Sequence, residues 1–283
     1  MTRPLHIFTK REAYFIVAGA MFMGFFASLL MQSLLPEEGT PVILDRMVIF
    51  LGELAFLIAP VLILRQRGLK ILDVVPLRAI TPVTWLMALV IVTGITGVIT
   101  IYEILILPFF PMPDFLLQFE KELAQGGAIS LLILVLAGSI AAPLVEEFIF
   151  RGILQQSLFY RYGSIIPAIL IPTVIFALFH VAYLFYLPAF IELLTLAILL
   201  GWLMVKTGNI LIPMLVHAIF NLSSFGSMLF PGLDEVETLG DMGVGWIVIS
   251  VFLTIMGWLY FKIMPLAEED EVYLIEPMRP EGQ

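Results

Sequence analysis

Residues 128–157 read AISLLILVLAGSIAAPLVEEFIFRGILQQS, and this stretch decides the fold. It is longer than the roughly 20 residues that cross a bilayer as a helix. Its second half nevertheless carries Glu146, Glu147 and Arg151. A charged side chain in hydrocarbon costs at least about 2.5–3.5 kcal/mol on insertion scales, so each of these needs a partner or a purpose. The reading is a helix that either runs past the bilayer or lines a cavity. On that helix Glu147 and Arg151 are four apart, the favourable acid-before-base spacing. Glu146 lies about 100° away around the axis, without that partner. One carboxylate is thus neutralised while its neighbour is left to face a cavity. Adjacent acids in unlike environments differ in how readily they take a proton, which lets one of them serve as a general base.

Working outward, the same apolar texture covers the chain. Of the 283 residues, 61% are apolar and 13% charged, with a mean hydropathy of +1.06. A soluble domain is nearer half apolar and a quarter charged. Eight apolar runs are evident, at about 13–35, 43–64, 82–107, 128–157, 164–184, 187–205, 209–230 and 243–264, separated by proline and glycine. They predict an all-α polytopic membrane bundle of about eight transmembrane helices, with the lipid bilayer as its first partner. The first run ends in Leu34-Leu35-Pro36-Glu37, not in a small-x-small cleavage pattern, and reads as a retained helix.

Of the 14 lysines and arginines, Arg151 lies inside a span, Arg46 and Lys121 fall in outer loops, and the other eleven fall in inner segments. The positive-inside rule then puts both termini in the cytoplasm and the chain in the plasma (inner) membrane. Pro113–Gln125 sets Phe115, Leu116, Phe119 and Leu123 against Asp114, Glu120, Lys121 and Glu122, a pattern for a helix lying on the outer interface. The absence of cysteine excludes disulfides, thiolate metal sites and cysteine nucleophiles. A net charge of −9 with no basic patch excludes a nucleic-acid partner.

Three histidines are present. His6, in the N-terminal tail, reads as solvated. His180 falls late in the fifth run and His217 in the middle of the seventh, where histidine is rare. Phe176 stands one turn before His180, and Asn221 one turn after His217. Counting about 1.5 Å per residue from the inner ends puts Glu146 and His217 at about 12–17 Å and His180 near 24 Å. Glu53, Glu103 and Glu192 also fall in or near spans. They fit no motif, and helix–helix hydrogen bonding, protonation or an interfacial position is expected for them.

Glu146-Glu147-Phe-Ile-Phe-Arg151, then Phe176-Ala-Leu-Phe-His180, then His217-Ala-Ile-Phe-Asn221 resemble the three ordered motifs of the CPBP family. That family, formerly called Abi, includes type II CAAX prenyl proteases (Ras-converting enzymes) and bacteriocin-processing or self-immunity proteins. The resemblance covers roughly residues 130–225; residues 1–125 match it only as generic membrane helices. It implies a division into residues 1–125 (N-terminal helices and the outer amphipathic segment), 126–230 (catalytic core), 231–264 (last span) and a flexible acidic tail at 265–283. It further implies an intramembrane endopeptidase in which Glu146 and His180 activate a water and His217 and Asn221 stabilise the oxyanion. Glu147 and Arg151 would hold the framework, and the partner would be a membrane-associated protein or peptide, including prenylated C-termini.

No cofactor is expected. Two histidines and a glutamate could ligate zinc, which is the competing reading, but there is no H-E-x-x-H and the ligands would come from three helices. Two other functions compete with proteolysis. An immunity or scaffold protein could use the same cavity for binding, and a transporter could use intramembrane acids and histidines as a proton relay. The transporter lacks the expected inverted pair of broken helices.

Overall fold

The computed structural model describes residues 7–36, 39–162, 164–229 and 238–266. His6, residues 230–237 and residues from 267 onward, with Arg3 and Arg279 of the charge count, lie outside the described residues.

The main helices are α1 (Lys10–Ser33), α2 (Val42–Gln66), α3 (Pro82–Ile106), α4 (Asp114–Leu123), α5 (Ala128–Phe159), α6 (Ile165–Phe179), α7 (Leu187–Thr207), α8 (Leu211–Ser224) and α9 (Val244–Ile263). The described residues form no strand; one isolated bridge joins Leu77 and Asn209. Six helices, α1, α2, α3, α5, α7 and α9, are long and apolar enough to cross a membrane. The expected eight are therefore shown only as six. The runs at 164–184 and 209–230 fold as helices of 15 and 14 residues. The first stops at His180, where the chain passes into a 3-10 turn over Val181–Phe185. The second stops at Ser224, before Phe225 leaves the helical region. At about 1.5 Å per residue each spans roughly 22 Å, short of a bilayer core.

Local chemistry sets the hairpins. Thr9 caps α1 in a reciprocal box: its Oγ1 accepts from Glu12 N at 3.3 Å, and Glu12 Oε2 accepts from Thr9 N at 2.7 Å. Arg67, just past α2, returns to that start by donating to Ile7 O at 3.1 Å and pairing with Glu12. Gly208, at φ +60°, ends α7 in the left-handed region that glycine tolerates. Lys206 donates to Met264 O at 2.8 Å, tying the ends of α7 and α9 together. At the opposite end of the bundle, Arg46 of α2 donates to the carbonyls of Glu122 (2.5 Å) and Leu123 (3.1 Å), capping α4. That short helix is amphipathic as expected, with Leu116 buried and Phe115 and Phe119 exposed.

The α3–α9 seam is packed backbone to backbone. A Cβ added at Gly257 would lie 2.6 Å from Ile91 Cβ and 3.0 Å from Ile91 Cα, and one at Gly94 would lie 2.4 Å from the Thr254 nitrogen. Lipid gives two apolar helices little hydrophobic reason to pair, so close approach over small residues holds them. Two prolines shape the interior. Pro60 has no N–H for the carbonyl of Phe56, and α2 breaks at Phe56–Leu57. Pro143 leaves the carbonyl of Ser139 without its usual donor, and α5 widens into a π-helix over Ala137–Ala141. A second π-helical stretch covers Phe148–Gln155. Between them, Ala142–Glu147 is one α-helical segment carrying both acids on its last turn.

Candidate active site

The two acids have opposite surroundings. Glu147 is fully buried. Its Oε1 accepts from Arg151 Nη1 at 2.9 Å and lies 2.9 Å from His217 Nδ1. Arg151 is 1% exposed and also donates to the carbonyl of Ala197 on α7 at 3.1 Å. One turn on, buried Gln155 donates to the carbonyl of Gly201 at 2.8 Å. Glu147, Arg151 and Gln155 therefore join α5 to α7 and α8 through a buried polar core.

Glu146 faces the other way, into a cavity of about 190 Å³ between α1, α2, α5 and α6. Its side chain keeps 19% of its surface exposed and that of His180 keeps 28%. Glu146 Oε1 is 4.0 Å from His180 Nε2, and Oε2 is 3.7 Å from His217 Nε2. The far nitrogen of each imidazole already has a partner. His180 follows the last residue of α6, and its Nδ1 lies 3.0 Å from the carbonyl of Phe176, one of the acceptors a helix end leaves open. His217 Nδ1 meets the Glu147 carboxylate. Both partners accept, so Nδ1 carries a hydrogen in each ring, and each Nε2 faces Glu146.

Phe176 locks this arrangement. It is 1% exposed. Its ring lies 4.5 Å from that of His180 and 6.2 Å from that of His217, and the Arg151 guanidinium sits 5.2 Å from its centroid. The shared aromatic contact explains why the F-x-x-x-H spacing is needed: one side chain orients both imidazoles and the cation beneath them.

Glu146, His180 and His217 are thus brought together, although the depth count set His180 well apart. α6 is a short helix, and His180 just past its last residue reaches Glu146 in the middle of α5. Asn221 is held one turn farther along α8, where its Nδ2 donates to the carbonyl of Gly138 in the first π-helical stretch at 2.8 Å. That bond uses one of its two amide hydrogens. His217 spends its Nδ1–H on Glu147, so it donates to an oxyanion only when Nε2 is also protonated. Among the described residues no group of three histidine, aspartate or glutamate side chains is arranged to hold a metal ion.

Sequence reasoning paired Glu147 with Arg151 but missed its bond to His217, which joins residues 70 apart and leaves no spacing signal. It also missed Gln155, whose signal was present: an amide one turn beyond Arg151 on an otherwise apolar helix.

A family model, Rce1-like, described as type II CAAX prenyl endopeptidase Rce1-like, matches residues 128–223, from the start of α5 almost to the end of α8. No curated protein and no solved structure matches the chain. All three motifs fall inside the matched stretch, Glu146 and His180 line one cavity with His217 beside Glu146, and residues 128–223 are on these grounds similar to that family.

Proposed function

We propose that this membrane protein is an intramembrane endopeptidase that hydrolyses a peptide bond with a water activated by Glu146 and His180. The observation that carries this reading is the pair of imidazole Nε2 atoms flanking one partly exposed carboxylate at a cavity wall. Separations of 3.7 and 4.0 Å are too long for direct hydrogen bonds. A water bonded to both Glu146 Oε1 and His180 Nε2 sits off the line between them, on the cavity side. There it gives up a proton as its oxygen adds to the carbonyl. The free amide hydrogen of Asn221, with His217 once protonated at Nε2, stabilises the oxyanion. Glu147 and Arg151 keep His217 in place.

The substrate is a membrane-associated peptide with an apolar segment that fits a wall of Phe25, Phe56, Phe150 and Phe179. The prenylated C-terminus named in the family's description has that character. Arg65, Arg67, Lys206 and Lys262 at or just past the ends of α2, α7 and α9 support, by the positive-inside rule, a cytoplasmic position for those ends.

The test uses wild type and Glu146→Gln in proteoliposomes with two quenched fluorescent probes, a farnesylated C-terminal peptide and an unmodified apolar peptide. Wild type is expected to cleave at least one probe, with turnover unchanged by EDTA, and Glu146→Gln is expected to cleave neither. Full turnover by Glu146→Gln, or loss of turnover with EDTA, contradicts the mechanism. Binding of a probe without cleavage points instead to the immunity or scaffold reading.

A further inference from the structure

The water-activating wall accounts for Glu146 and His180, but the same cavity holds a third ionisable group. Glu53 lies in the middle of α2, outside residues 128–223, and lines the cavity with Glu146 and His180. It shares the wall of this one cavity with Glu146. Among the described residues Glu53 has neither a hydrogen-bond nor an ion-pair partner. No lysine or arginine lines the cavity, and α1 adds only Met21 and Phe25 to it. A carboxyl in a membrane span with no partner needs a purpose. Two carboxyl groups facing one apolar space without a counter-ion suit a division into one base and one acid.

Peptide hydrolysis also needs a proton in that space. The attacking water loses one to Glu146 and His180, but the leaving nitrogen must gain one before it departs as an amine. We propose that Glu53 is the acid that protonates the leaving amine. This rests on the endopeptidase reading. Water gives its proton to Glu146–His180, and its oxygen bonds to the carbonyl carbon. The carbonyl then re-forms, the C–N bond breaks, and nitrogen takes the proton of the Glu53 carboxyl. The products are a carboxylic acid and an amine. Glu53 is left as carboxylate, and the proton held at Glu146–His180 crosses the cavity to restore it. One cavity then holds a base and an acid, from two carboxyl groups whose unlike surroundings separate their roles.

The experiment compares one peptide as its amide and as the corresponding ester, whose alcohol leaves with little need of a proton. Wild type, Glu53→Gln and Glu53→Leu are assayed as the full chain in proteoliposomes, after confirming that each variant elutes and melts like wild type. The leucine variant covers the case in which the amide side chain is poorly accommodated. The expected result is a fall of about 10²-fold in kcat on the amide and less than about 10-fold on the ester, with KM unchanged, as for loss of general acid catalysis. A merely structural role lowers both substrates equally. Equal losses on amide and ester, or wild-type turnover on both, overturn the proposal while leaving the endopeptidase reading intact. A wild-type protein that cleaves neither substrate overturns the endopeptidase reading, and the role of Glu53 with it.

Discussion

Glu146 and Glu147 are neighbours in the chain, yet they belong to two different regions. Around Glu147 the protein is closed: an arginine and a histidine meet one carboxylate oxygen, and α7 carbonyls receive the remaining donors. Around Glu146 it is open, with two imidazole Nε2 atoms and a cavity. The closed region is built from strong, mutually dependent bonds in low dielectric, where removing one partner strands another. The open region keeps its bonding capacity unspent, as chemistry on a bound molecule requires. The difference teaches that a doubled acid on one helical turn divides support from reaction.

His217 belongs to both regions and gives the sharpest test of the division. His217→Ala removes the second partner of Glu147 and one flank of Glu146 together. It is expected to abolish cleavage and also to destabilise the protein by about 3 kcal/mol, through a buried carboxylate short of a donor and the void left behind. Urea or thermal unfolding in detergent alongside a cleavage assay measures both. His180→Ala, on the open side, is expected to lose cleavage with a much smaller change in stability. If the two histidine variants behave alike, the division between the regions fails.

Lower in the order come changes confined to packing and support. Gly257→Val forces apart the α3–α9 seam, where a Cβ already meets the Ile91 backbone. It should cost about 1–3 kcal/mol as overpacking does, and turnover per folded molecule should be unchanged because the seam lies away from the cavity. Gln155→Leu removes one buried hydrogen bond to Gly201. About 1 kcal/mol is expected, again with turnover preserved. A large loss of turnover in either variant would mean that support and chemistry are not separable.

Much of this was legible in the chain, for reasons that differ by residue. The membrane class followed from composition, because lipid imposes the same apolar demand along every span. Glu147–Arg151 was legible because both lie on one helix at a fixed spacing. The three motifs were legible as a resemblance, and through them Glu146, His180 and His217. What sequence could not give were contacts between helices: His217 to Glu147, Arg151 to Ala197, and Asn221 to Gly138 join segments 46 to 83 positions apart. Length also misled. The runs containing His180 and His217 are apolar for about a span, but α6 and α8 stop early, since apolarity does not reveal where a helix turns. Glu53 was visible as a lone acid that fits no motif, with helix–helix hydrogen bonding, protonation or an interfacial position expected for it. Only its place in the cavity beside Glu146 gives it a role.

The measurement that tests the central claim most directly puts Glu146→Gln and Glu147→Gln side by side, with melting temperature and cleavage rate read from the same preparations. The account predicts that Glu146→Gln melts with wild type and cleaves nothing. Glu147→Gln should melt markedly lower, with about 3–5 kcal/mol lost because Arg151 is left buried without its counter-charge. The opposite pattern, an unstable Glu146→Gln or a Glu147→Gln as stable as wild type, would contradict it.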